Sequence, residues 1–206
     1  MNFNQDLEAR LAERLDPLDA LANDVRRGDF DLNPEQRPEE LRALTPAAVL
    51  APIVRRPEGW TLLLTQRTET MPTHAGQVAF PGGRVQPEDT GPVDTALREA
   101  EEEVGVSRRL FRPIGGIDAW ETGTGYRITP IVAFIEPGFT LAPDPREVAA
   151  VFETPLEFLF NPANHERREG EFRGQKRTYY AMPHNGRFIW GATAGMIRAL
   201  YERLYL

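Results

Sequence analysis

Apolar and polar positions alternate along this chain with two different periods. Leu7, Leu11, Leu15, Leu18 and Leu21 recur every three or four residues among Glu, Arg and Asp, and Pro17 interrupts them. That pattern predicts one kinked helix or two short ones over the first 27 residues, ended by Gly28. Residues 37–44 read as a further short helix opened by Pro38, and the apolar run 47–54 starts a sheet. Residues 60–66 form a second strand across the Pro57-Glu58-Gly59 turn, so a hairpin is expected. Between Pro92 and Gly105, Val93, Leu97, Ala100 and Val104 fall at i, i+4, i+7 and i+11, the stripe of a helix docked on that sheet. Residues 114–118, 128–135, 148–153, 178–182 and 187–190 read as strands, the last two around an Asn185-Gly186 turn, with a helical turn at 155–160. Met196, Leu200 and Leu204 mark a closing helix over 191–206. Strands with helices before, within and after them predict an α/β layered domain.

The 206 residues suffice for one sizeable core, and they divide here into an N-terminal helical extension, 1–44, and a main domain, 45–206. A net charge of −7 argues against a general nucleic-acid or anionic-membrane surface, because a phosphate backbone would on average be repelled. The absence of cysteine removes disulfides, thiol nucleophiles and cysteine-ligated zinc together. The N-terminus carries Asp6, Glu8 and Arg10 and no secretory apolar core, and no stretch is long enough to span a bilayer. A cytoplasmic protein acting on a small molecule is the expectation.

The chemistry concentrates in one place. Glu99, Glu102 and Glu103 stand at i, i+3 and i+4, so a helix makes them neighbours. Like charges so placed repel by a few tenths of a kcal/mol per pair, and a compact arrangement asks for a cation. Hard divalent ions prefer carboxylate oxygens, which points to Mg²⁺ or Mn²⁺. A solvated helix face is the ordinary reading of such a run; the upstream Phe80-Pro81-Gly82-Gly83 turn tips the balance toward a metal.

Gly82-Gly83 followed by Arg98-Glu99-Ala100-Glu101-Glu102-Glu103-Val104-Gly105-Val106 resembles the Nudix box, G-x5-E-x7-R-E-U-x-E-E-x-G-U, with Ala100 as a small U residue. The loop is one residue longer than that pattern, and either Glu88 or Asp89 can fill its carboxylate position. Leu63-Leu64-Thr65-Gln66-Arg67 and His74-Ala75-Gly76-Gln77-Val78-Ala79-Phe80-Pro81-Gly82-Gly83 resemble the extra signature of Nudix hydrolases acting on coenzyme A, and Ile189-Trp190-Gly191-Ala192-Thr193-Ala194 resembles the C-terminal end of that subgroup. Thr68 replaces that subgroup's Ser or Ala, and Pro72 its arginine.

The resemblance implies a Nudix-type α/β/α sandwich with a mixed sheet, and hydrolysis of a diphosphate linked to another group with Mg²⁺ or Mn²⁺. It makes Glu99, Glu102, Glu103 and the Gly83 carbonyl metal ligands, with Glu102 the third ligand or a base. Arg98, four residues before Glu102, orients that carboxylate. Glu102, Glu103, Glu121 and Glu147 are the candidate bases. With coenzyme A as substrate the products are 3′,5′-ADP and 4′-phosphopantetheine. Arg67, His74, Gln77, Gly82 and Gly83 then lie against the substrate, with Arg55, Arg56 and Arg84 as weaker contacts. ADP-ribose or NADH as substrate, favoured by Pro72, and a non-catalytic Nudix-like binding module are the alternatives. His165 and His184 read as surface residues, and the charged run Arg167 to Arg177 as a solvated loop.

Overall fold

A computed structural model describes residues 3–21, 27–37, 43–136, 138–172 and 174–206. In chain order the elements are α1 (Phe3–Arg14), β1 (Arg27–Gly28), β2 (Thr45–Arg56), β3 (Gly59–Arg67), β4 (Val78–Ala79), β5 (Gly82–Arg84), α2 (Pro92–Val104), β6 (Phe111–Gly116) and β7 (Trp120–Glu121). There follow β8 (Tyr126–Ile135), β9 (Val148–Pro155), α3 (Leu156–Leu159), β10 (Glu166–Phe172), β11 (Gln175–His184), β12 (Arg187–Trp190) and α4 (Gly191–Tyr205).

The first nine strands make one mixed sheet, in which β2 runs parallel to β8 and antiparallel to β3 and β5. Strand alternation sends β2 residues to two opposite cores. Ala48 and Leu50 pack with Leu63 and with Ala96, Ala100 and Val104 of α2, whose apolar stripe is thereby buried. Val49, Ala51 and Ile53 face the other way, toward Leu7 and Leu11 of α1, Ile189 of β12 and Ile197 of α4. Helices on both faces of a mixed sheet are the expected α/β layering.

Several expectations change. Helix α1 stops at Arg14, before Pro17, and Gly28 ends no helix: it pairs in parallel with Glu121, where a Cβ would strike the Glu121 carbonyl oxygen. Most of the helix expected at 37–44 lies outside the described residues. The charged run read as a loop is strand β10, paired along its whole length with β11 into a second, three-stranded sheet. Its sequence, charged except for Gly170 and Phe172, hid it because a main-chain ladder needs no apolar face. His165 is buried, not superficial: Nε2 lies 2.6 Å from the Leu159 carbonyl, and Nδ1 3.1 Å from an Arg198 guanidinium nitrogen. Among the described residues no helix is long and apolar enough to cross a membrane.

Candidate active site

The site lies where β5 passes under α2. Gly83 pairs with Ala48 on the face that carries the helix, and a Cβ built on it would fall 2.5 Å from both carboxylate oxygens of Glu99. Glycine is therefore required for the Glu99 carboxylate to rest on the strand backbone. One turn later, Glu103 is 6% exposed and accepts a hydrogen bond from the Gly82 N–H. Pro92 opens the helix, and Gly105, at φ 69°, closes it with its N–H on the Glu101 carbonyl.

Burial pushes the Glu103 carboxyl up to about 8; Arg67 opposes this, and repulsion from Glu99 and Glu147 adds to it. Burial raises Glu99 as well, with Arg98 acting against it and Glu102 and Glu147 reinforcing it. Arg67, at the end of β3, bears on Glu103, yet its Nε is buried without a hydrogen-bond partner. Positive charge is in deficit here.

Arg98 is the hub of the outer rim. It grips Asp89 through Nε (2.8 Å) and Nη2 (2.9 Å), and its Nη1 reaches Glu99 at 2.8 Å and Glu102 at 3.3 Å. Asp89 also accepts from the Gln86 N–H and the Thr95 hydroxyl, both at 2.8 Å. The Arg98 guanidinium holds Asp89 well below the usual carboxylate range. Glu102 remains 58% exposed on the rim. Glu147 follows a loop fastened by Asp144 N–H to the Glu103 carbonyl and by Thr68 N–H to the Glu147 carbonyl. His74 and Gln77 lie on the loop after β3, bonded to each other at 3.0 Å, and the Gln77 carbonyl accepts from the Arg67 N–H.

The model of the NUDIX domain matches residues 44–174. The chain belongs to the Nudix hydrolase family. It is 41% identical over 158 residues, 77% of its length and 84% of the relative's, to the uncharacterized Nudix hydrolase NudL of Photorhabdus laumondii. To the uncharacterized NudL of Escherichia coli O7:K1 it is 44% identical over 154 residues, 75% and 80% of the two chains. The Nudix hydrolase RenU of M. smegmatis shares the fold at a TM-score of 0.50 and 18% identity, over 79% of this chain and 87% of that one.

Within the Nudix box, Asp89 and not Glu88 meets Arg98, so the extra loop residue leaves an acid on the arginine. Among the described residues no three carboxylate or imidazole groups stand close enough to form a ready-made ion cage. Glu99 and Glu103 turn inward, Glu102 turns out to Arg98, and Glu147 supplies further negative charge from the neighbouring loop. In donor chemistry the set fits a hard divalent ion, since it offers only oxygen ligands whose mutual repulsion such an ion would relieve. Glu121 is buried in β7, opposite Arg127 of β8. Arg55 and Arg56 sit at the hairpin end of β2, roughly 25 Å along the strand from Ala48. A hollow of about 270 Å³ beside Arg56, Trp60 and Glu153 is equally remote. The fastening of the Glu147 loop to α2 escaped the sequence, because it runs through main-chain groups.

Proposed function

We propose that this Nudix pyrophosphohydrolase cleaves the diphosphate of coenzyme A or its thioesters, giving 3′,5′-ADP and 4′-phosphopantetheine or its acyl form. The observation that carries the chemistry is the pair Glu99 and Glu103 against the Gly82-Gly83 backbone, both raised by burial and by neighbouring carboxylates, Glu147 among them. The substrate assignment rests on Leu63 to Arg67 and His74 to Gly83, whose pattern resembles the coenzyme A subgroup.

Glu99 and Glu103 would hold the metal, with Glu102 and the Gly83 carbonyl as further donors. When bound, Mg²⁺ or Mn²⁺ neutralises charge on the diphosphate oxygens and makes the attacking water more acidic. Arg98, locked onto Asp89, keeps the Glu99 carboxylate in place as substrate enters. Arg67 supplies a cation beside Glu103. The exposed Glu147 carboxylate is the best placed acceptor for the proton of the attacking water. A bond forms from that water to one phosphorus, and the bond from this phosphorus to the bridging oxygen breaks.

Pro72 favours a second substrate reading, because the subgroup's arginine is missing there: ADP-ribose or NADH in place of coenzyme A. A panel of coenzyme A, acetyl-coenzyme A, ADP-ribose and NADH with Mn²⁺, products identified by mass, decides between them. The highest kcat/KM is expected for a coenzyme A compound; preference for ADP-ribose or NADH transfers the assignment, and no metal-dependent product from any of them contradicts it.

A further inference from the structure

Most of the cations expected near the diphosphate are already engaged. Arg98 is saturated by Asp89, Glu99 and Glu102, Arg67 bears on Glu103, and Arg56 is clamped to Glu153 at the far hairpin. Arg84 is different. It directly follows Gly83, and its carbonyl accepts from Arg98 Nη2 at 3.1 Å, so its Cα is one residue, about 3.8 Å, from the backbone on which Glu99 rests. Strand alternation nevertheless turns its side chain off the carboxylate face. Among the described residues the Arg84 guanidinium meets no acid: it donates from Nε (2.9 Å) and Nη2 to the neutral Tyr126 hydroxyl, and lies 5.3 Å from the centre of that ring.

Tyr126 itself is fixed. Its N–H donates to the Thr122 hydroxyl at 3.0 Å, and the Thr122 N–H to its carbonyl at 2.9 Å. The turn between them is held by Asp29, which accepts from the Gly123 N–H and from Trp120 Nε1, each at 2.9 Å. The segment at Asp29 thus gains a purpose: it keeps a preorganised, exposed arginine beside the reaction centre. In a chain of net charge −7, an exposed arginine next to an acidic site but bound to none of its acids is poised for an anion.

We propose that Arg84, oriented by Tyr126, binds a phosphate monoester on the nucleoside half of the substrate, the 3′-phosphate if that substrate is coenzyme A. This rests on the functional reading above. The diphosphate belongs to the carboxylate side, and a second, dianionic phosphate a ribose away suits a guanidinium whose planar fork is prepositioned.

The test compares coenzyme A with dephospho-coenzyme A, which lacks only that phosphate, in the full chain with Mn²⁺. Wild type is expected to favour coenzyme A, and Arg84→Gln to lower the ratio of the two kcat/KM values by about tenfold or more, mainly through KM. Arg84→Lys should restore part of the ratio, and Tyr126→Phe should give an intermediate value. An unchanged ratio, or equal loss on both substrates, overturns the proposal. Calorimetric binding of 3′,5′-ADP against 5′-AMP separates the two readings. If neither coenzyme is hydrolysed, the functional reading fails, while a preference for 3′,5′-ADP that Arg84→Gln abolishes still upholds the arginine's role. No such preference in wild type overturns that role too.

Discussion

The two ends of the β2–β3 pair each bring arginine against glutamate from neighbouring elements, and they treat the pair oppositely. At the hairpin, Arg56 grips Glu153 with bonds of 3.0 and 2.5 Å, and the Thr61 hydroxyl adds a third at 2.6 Å. Burial alone would raise the Glu153 carboxyl, but these donors hold it below its ordinary value. At the other end Glu99 and Glu103 lie raised, crowded by Glu147, and the Arg67 Nε goes unbonded. Matched charge at the hairpin is a fastener. At the glycine turn, Arg98 on Glu99 and Arg67 beside Glu103 do not offset burial and repulsion, and charge left under-compensated in this way suits a cation.

The largest effect that could break this contrast is on turnover. Glu103→Gln should lower kcat by about two orders of magnitude or more with the fold retained, since the proposed metal ligand is lost. Glu153→Gln should leave kcat within about twofold and cost roughly 1 kcal/mol of stability, as expected of a partly exposed pair. Steady-state rates and thermal melts on both variants check this, and equal kinetic effects would erase the distinction between the ends.

Next in size is the dependence of stability on pH. Between about 4.5 and about 8 the folded protein holds a proton on Glu103 that the unfolded chain has released. Metal-free stability should therefore fall as pH rises through that window, by at most about 1.4 kcal/mol for each step of one in pH, and Glu103→Gln should flatten the slope. Mn²⁺ should stabilise more at pH 8 than at pH 5.5, because binding needs the ionised carboxylate. Denaturant titrations at both pH values, with and without Mn²⁺, measure this; a metal-free stability that rises with pH would contradict it.

Smaller still is the rim. Asp89→Asn removes one partner of a buried, bidentate pair and should cost about 2 kcal/mol, with kcat reduced because Arg98 no longer fixes Glu99. Glu102→Gln should shift stability by less than about 0.5 kcal/mol, since Glu102 is exposed and only 3.3 Å from Arg98, and should slow turnover far less than Glu103→Gln. A Glu102→Gln defect equal to that of Glu103→Gln would make Glu102 a full ligand.

Where burial followed a period, the sequence was legible. The stripe at Val93, Leu97, Ala100 and Val104 set the orientation of α2, and Pro92 and Gly105 set its ends. The same stripe left Glu99, Glu102 and Glu103 together on the remaining helix surface, and the four-residue spacing paired Arg98 with Glu102, but neither could tell that Glu103 would be buried against the Gly82-Gly83 backbone while Glu102 stayed exposed. The choice between Glu88 and Asp89 depended on loop conformation, which no period encodes. Strand β10 and the Asp29 segment stayed hidden for a related reason: main-chain ladders and single polar bonds such as Asp29 to Gly123 hold them, and these leave no apolar signature.

The central claim is that Glu99 and Glu103 hold a divalent ion. Titration of Mn²⁺ into the protein at pH 8, followed by electron paramagnetic resonance without substrate, addresses it directly. Wild type should bind the ion, and the Glu99→Gln, Glu103→Gln double variant, folded by circular dichroism, should lose about tenfold or more in affinity. Equal binding by the two proteins would contradict the account.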